Sequence, residues 1–150
     1  MSYRRQKKQL IDNWTIDKKG LSDTWLDNME SIEGWVLEKG DVVLCDYGEN
    51  LGSEYNTDRG ELRPGVVIST KNHNHGIAIV APTSTSKINK IRPFEYKLFK
   101  VNNPFLDRDT KVQVNAARCI SAVRINKKVG KMTDSEISKL DIIIKRIFEI

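Results

Sequence analysis

The sequence predicts a mainly β chain of the α+β class: a small, curled antiparallel β-barrel with a C-terminal helix, preceded by a helical extension. Three observations predict it. Short β-branched runs succeed one another from Asp41 to Val123, separated by turns and not by helices, so neighbouring strands must run antiparallel and curl on themselves. The last stretch repeats apolar side chains at helical spacing. Residues 1 to about 38 do the same and hold all three tryptophans, Trp14, Trp25 and Trp35.

Taken in order, Leu10, Ile11 and Trp14 suggest a first helix, and Lys19-Gly20 punctuates it. Ser22 is then a candidate N-cap for a second helix carrying Trp25, Met29, Ile32 and Val36. Tryptophans buried there contribute large apolar area against the main domain or a dimer mate. The texture changes at Lys39-Gly40, which divides the chain into an extension, 1–38, and a barrel domain, 39–150. Asp41–Tyr47 reads as a strand. Residues 48–62 form a glycine- and acid-rich loop, long enough to suggest function. Gly65–Ser69 and Ile77–Ala81 are the next strands, with a turn at residues 71–76 between them. Pro82 ends the third strand, and a loop rich in hydroxyls follows. Phe94–Phe99, Lys111–Asn115 and Ala117–Val123 complete the strands. Thr133 caps the closing helix and Glu136 stands three residues on, as in a capping box. Ile137, Leu140, Ile144 and Ile147 or Phe148 form its apolar stripe.

Composition bounds the function. The chain has 150 residues, 39% apolar and 30% charged, which suits one soluble domain with a real core. No apolar run is long enough to span a bilayer, and no apolar segment follows the basic start as a secretory signal requires. The expected address is the cytoplasm. Cys45 and Cys119 lie in strand-like runs and are expected to be buried free thiols. Neither the cysteines nor the scattered acids have metal-ligand spacing, so no metal and no cofactor is expected. The net charge is +5. Its clusters, Arg4 to Lys8, Lys87 to Arg92 and Lys127 to Lys131, favour an anionic partner weakly.

Candidate chemistry gathers around Arg63. The proline behind it holds Arg63 extended at a strand's mouth, and its guanidinium is always charged and offers five donors. That suits phosphate, although the segment alone also fits a surface arginine opening an ordinary strand. The loop Thr83-Ser84-Thr85-Ser86-Lys87 supplies hydroxyl donors and a charge. In an antiparallel barrel the start of one strand and the end of its neighbour share a rim, so Arg63 and Ser84 should meet. Ser53 and Glu54 precede Arg63 in the long loop, and Arg118 lies in the last strand. Arginine beside hydroxyls suits cleavage of an RNA phosphodiester, whose 2′-OH is an internal nucleophile. His73 and His75 sit in an Asn/Gly turn and are read as solvent-exposed.

The ordered motifs Gly40-Asp41-Val42-Val43-Leu44, Gly52-Ser53-Glu54, Arg63-Pro64-Gly65-Val66-Val67-Ile68-Ser69 and Ile79-Val80-Ala81-Pro82-Thr83-Ser84, with the tail Arg124–Met132, resemble the MazF/PemK family of type II toxin–antitoxin toxins over residues 39–150. The resemblance implies an SH3-like barrel and a homodimer. It implies a metal-independent, sequence-specific endoribonuclease for single-stranded RNA that leaves a 2′,3′-cyclic phosphate. It also implies a cognate antitoxin, through which the complex would contact DNA. Arg63 matches the family's catalytic arginine and Ser84 its catalytic hydroxyl, with Thr83 and Thr85 as neighbours. Ser53 and Glu54 match the loop before the arginine, and Lys87 and Arg118 are expected to contact RNA backbone. A catalytically degenerate module that binds nucleic acid or protein is the alternative. The long 48–62 loop and the 1–38 extension have no counterpart in compact members.

Overall fold

The computed structural model describes residues 2–28, 36–48 and 62–150. The expected loop residues Ser53 and Glu54, with Met29, Ile32 and Trp35, lie outside the described residues. The elements run α1 (Tyr3–Asp27), β1 (Asp41–Cys45), β2 (Arg63–Val67), β3 (Ile77–Ser84), β4 (Glu95–Leu98), β5 (Thr110–Gln113), β6 (Arg118–Ser121), β7 (Ile125–Lys131) and α2 (Asp134–Phe148). Single 3-10 turns lie at residues 71–73, 114–116 and 122–124.

Among the described residues all strand pairs are antiparallel, and the sheet order is β4-β5-β3-β2-β1-β7 with β6 also on β3. The expected class is correct, but the described strands do not close into a ring: β4 and β7 are the ends of the sheet. The reason lies in β3. One of its edges pairs with β2. The other carries β6 on Ile77–Val80 and then β5 on Thr83 and Ser84. The sheet forks there, and Pro82, which has no N–H to give, stands between the two ladders. Pro82 therefore does not end the third strand, as the sequence suggested. The strand runs on to Ser84 because β5 arrives to pair with it. The sequence also gave no strand for Ile125–Lys131, which pairs with β1 through two register irregularities.

The central strands are buried on both faces. Val42, Val66 and Ala81 join Leu98, Val112, Met132, Leu140 and Ile143 beneath α2. Their sequence neighbours Val43, Val67 and Val80 face the other way, with Cys45, Tyr47, Ala78, Ile120 and Ile125. The period of two along a strand produces this division. Helix α2 begins as predicted: the Thr133 hydroxyl accepts from the Glu136 N–H, and the Glu136 carboxylate accepts from the Thr133 N–H.

The extension departs from expectation. One helix of 25 residues runs through Gly20, capped by Ser2 and not interrupted at Ser22. A glycine inside a helix costs about 1 kcal/mol against alanine, which is no bar to continuation. The Thr24 hydroxyl donates to the Gly20 carbonyl (3.0 Å) in place of any break. The helix touches the body at Trp14, whose ring lies over the Gly48 backbone and 5.2 Å from the Arg124 guanidinium. Cys45 is buried, as expected, and burial pushes its thiol up to about 12, whereas Cys119 is exposed; both are free. Cys119 alternates outward beside Ile120, so a residue in an apolar strand need not face the core. No described helix is long and apolar enough to cross a membrane.

Candidate active site

Proline at the second position of β2 sets Arg63 opposite Cys45 of β1, with Gly65 opposite Pro82 of β3. The mouth of β2 therefore lies beside the end of β3, as the rim argument required. The two strands are tied at this level by the Thr83 hydroxyl, which donates to the Pro64 carbonyl (3.1 Å). On the far side of β3, Ser84 stands opposite Lys111 of β5, and the Thr110 hydroxyl donates to the Ser84 carbonyl (3.1 Å).

Between these strands opens a cleft of about 230 Å³, lined by Arg63, Pro64, Thr83, Ser84 and Thr85 on one side and by Leu106, Asp107, Arg108 and Thr110 on the other. The structure thus brings together Arg63 and all three candidate hydroxyls. They are not equivalent. Thr83 is buried and its proton is committed to Pro64. Ser84 is half-buried, its hydroxyl oxygen accepts from the Ser86 N–H (3.2 Å), and its hydroxyl proton has no acceptor among the described residues. Thr85 is exposed. A guanidinium beside an available hydroxyl can hold the non-bridging oxygens of a phosphodiester by charge-assisted hydrogen bonds.

Residues 38–148 match the family of PemK-like, MazF-like toxins of type II toxin–antitoxin systems. The chain belongs to that family. Among characterised proteins it is similar to the endoribonuclease MazF9 of Mycobacterium tuberculosis, 29% identical over 117 residues that span 73% of this chain and 94% of the relative. Its fold is similar to that of MazF from Deinococcus radiodurans, with a TM-score of 0.62 at 17% identity over 77% of this chain and 99% of that one. It is also similar to the MazE–MazF complex of the same organism, with a TM-score of 0.58 at 16% identity over 77% of this chain and 98% of that one. Helix α1 precedes the residues that match the family.

Two residues expected to meet RNA do not line this PemK/MazF-family cleft. Lys87 is exposed in the turn after β3, with a left-handed backbone (φ 49°). Arg118 pairs with Val80, three residues back along β3 from Thr83. It lies instead near Arg124, whose guanidinium is held below its ordinary pKa by burial first and by the Arg118 charge second. His73 and His75 are exposed at the opposite end of β3, as expected.

Conversely, sequence reasoning missed Asp107, Arg108 and Thr110. The signal was present: the rim argument that joins Arg63 to Ser84 also places the start of β5 beside the end of β3. A second groove, of about 210 Å³, separates α1 from the turn after β6 and is lined by Lys18, Trp25, Ser121 and Arg124, among others.

Proposed function

We propose that this chain is the toxin of a toxin–antitoxin pair, a metal-independent endoribonuclease that cuts single-stranded RNA at preferred sequences in the cytoplasm. The observation that carries the reading is the cleft that places Arg63 and the Ser84 hydroxyl on adjoining strand ends. The name of the MazF9 relative, an endoribonuclease, supports it. The 2′ oxygen attacks phosphorus and the bond to the 5′ oxygen breaks, leaving a 2′,3′-cyclic phosphate. Arg63 donates to the departing oxygen and passes on the proton lost by the 2′-OH, so its own charge is unchanged. It also neutralises the phosphate, while Ser84 holds a non-bridging oxygen. Thr83, by fixing Pro64, keeps Arg63 at the rim. Residues 39–150 form the catalytic unit as a homodimer, and 1–38 form an addition to it. A cognate antitoxin is its partner, which the solved MazE–MazF complex of a structural relative supports.

The test is a long single-stranded RNA incubated in EDTA with the wild type and with Arg63→Ala. Discrete fragments from the wild type, reduced at least about a hundredfold in rate by the substitution, are expected. Intact RNA from a folded, antitoxin-free wild type would favour the binding module, and an Arg63→Ala protein as fast as wild type would remove Arg63 from the reaction.

A further inference from the structure

We propose that Arg108 is a second phosphate-gripping residue of the cleft, held ready by a turn that is built rigidly before any substrate arrives. This rests on the RNA-cleaving reading above and adds a residue to it. Arg108 lies near the end of the connection from β4 to β5, residues 99–109. The structure fastens it at three points. Asn103 is fully buried, and its amide donates to the Phe99 carbonyl (3.1 Å) and to both carboxylate oxygens of Glu136 (3.2 and 3.0 Å). That carboxylate also completes the α2 capping box, so the helix start and the loop share one anchor. The Phe105 ring packs on Gly130 so closely that a Cβ there would lie 2.3 Å from it. Leu106 is buried in the core. The ends are tied as well: the Lys100 N–H donates to the Asp109 carboxylate (2.8 Å) and the Lys100 ammonium to the Asp107 carbonyl (3.1 Å).

Arg108 follows Leu106 by two residues and lines the same cleft as Arg63. It is exposed, and among the described residues no carboxylate lies within ion-pair distance of it. Two guanidiniums facing one cleft repel each other unless an anion lies between them. Asp107 lines the same cleft, and loss of Arg108 would remove one of the two guanidiniums among its lining residues. Arg63 takes the reacting phosphodiester and Arg108 the neighbouring phosphate of the strand. Because that second contact persists unchanged through the reaction, it contributes to binding and not to the chemical step.

The experiment measures binding of a fluorescently labelled, mixed-sequence single-stranded RNA to Arg63→Ala and to Arg63→Ala/Arg108→Ala across a salt series. Binding about tenfold weaker is expected for the double variant, with the salt slope smaller by about one. Arg108→Lys in the same background should keep the slope, because it keeps the charge. Unchanged affinity and slope in a folded Arg108→Ala protein would overturn the proposal. So would a lysine variant as weak as alanine, since that would assign Arg108 a role in shape and not in charge. The functional reading fails separately, if the wild type leaves single-stranded RNA intact in EDTA, and the binding result for Arg108 is then judged alone.

Discussion

The two α-helices among the described residues are opposites. Helix α2 has 15 residues and buries Glu136, Leu140 and Ile143, whereas α1 has 25 residues and buries none. At 1.5 Å per residue α1 is about 37 Å long, yet it meets the body where Trp14 crosses Gly48 and Arg124 and along the turn at residues 122–124 without burying a residue. Length therefore says little about anchorage. What decides it is whether an apolar stripe meets a sheet face that needs covering. The α2 stripe does, and its capping carboxylate reaches on to Asn103 in the loop behind the cleft. The first way to test the contrast is Leu140→Ala. Leu140 is fully buried in the cluster beneath α2, so truncation should cost about 2–5 kcal/mol of stability, read by urea melting. A loss as small as that of an exposed position would mean that α2, like α1, only rests on the body.

The α1 side of the contrast can be broken at one atom. Gly48 has φ 71°, and a Cβ there would lie 2.3 Å from the Trp14 ring. Gly48→Ala should therefore push α1 away as well as strain the turn, and Trp14→Ala should release the helix without the strain. Both should expose the N-terminal segment to limited proteolysis. Trp14→Ala should leave the melting of the body within about 1 kcal/mol of wild type. A collapse of the whole fold in Trp14→Ala would show that α1 belongs to the core.

The same contrast explains what could be read from the sequence. Helix α2 was legible because its signals are local: Thr133, Glu136 and the stripe from Ile137 onward specify start and face together. The placing of Arg63 and Ser84 in one cleft was legible because strand ends share rims in an antiparallel sheet. Two strand assignments failed for a common reason. Pro82 reads as a terminator, and Ile125–Lys131 is too polar to read as a strand, yet β5 and β1 pair with them; the ladder partner, distant in sequence, decides. Arg118 lies outside the cleft because pairing with Val80 sets its position, which no local pattern shows. The rim argument reached the start of β5 and so the neighbourhood of Arg108, but the contacts that fix the loop before it, Asn103 to Glu136 and Phe105 to Gly130, join positions tens of residues apart. Gly20 misled in the other direction, since a local breaker without a tertiary need to turn does not stop a helix.

The smallest effect concerns how the start of β1 is clasped by β7. The buried Asp41 carboxylate accepts from the Glu38 N–H (2.8 Å) and pairs with Lys128 (2.9 Å), while Glu38 itself bonds Lys131 near the surface. The Lys131 hydrogen bond, then its charge, holds the Glu38 carboxyl below its ordinary pKa, and the same bond to Glu38 holds the Lys131 ammonium above its own. A lowered carboxyl contributes stability above the ordinary glutamate value of about 4.3, which is lost as pH falls through the lowered folded value. A raised ammonium contributes stability below the ordinary lysine value of about 10.4, which is lost as pH rises through the raised folded value. The pair therefore acts in full across the neutral range. Melting curves of wild type and Glu38→Gln should differ slightly there, draw together in acid and again in strong base, and converge in high salt because the pair faces solvent. Curves that ran parallel from acid to base would show that this pair does not clasp β1, and that the buried contact of Asp41 with Lys128 holds the strand without it.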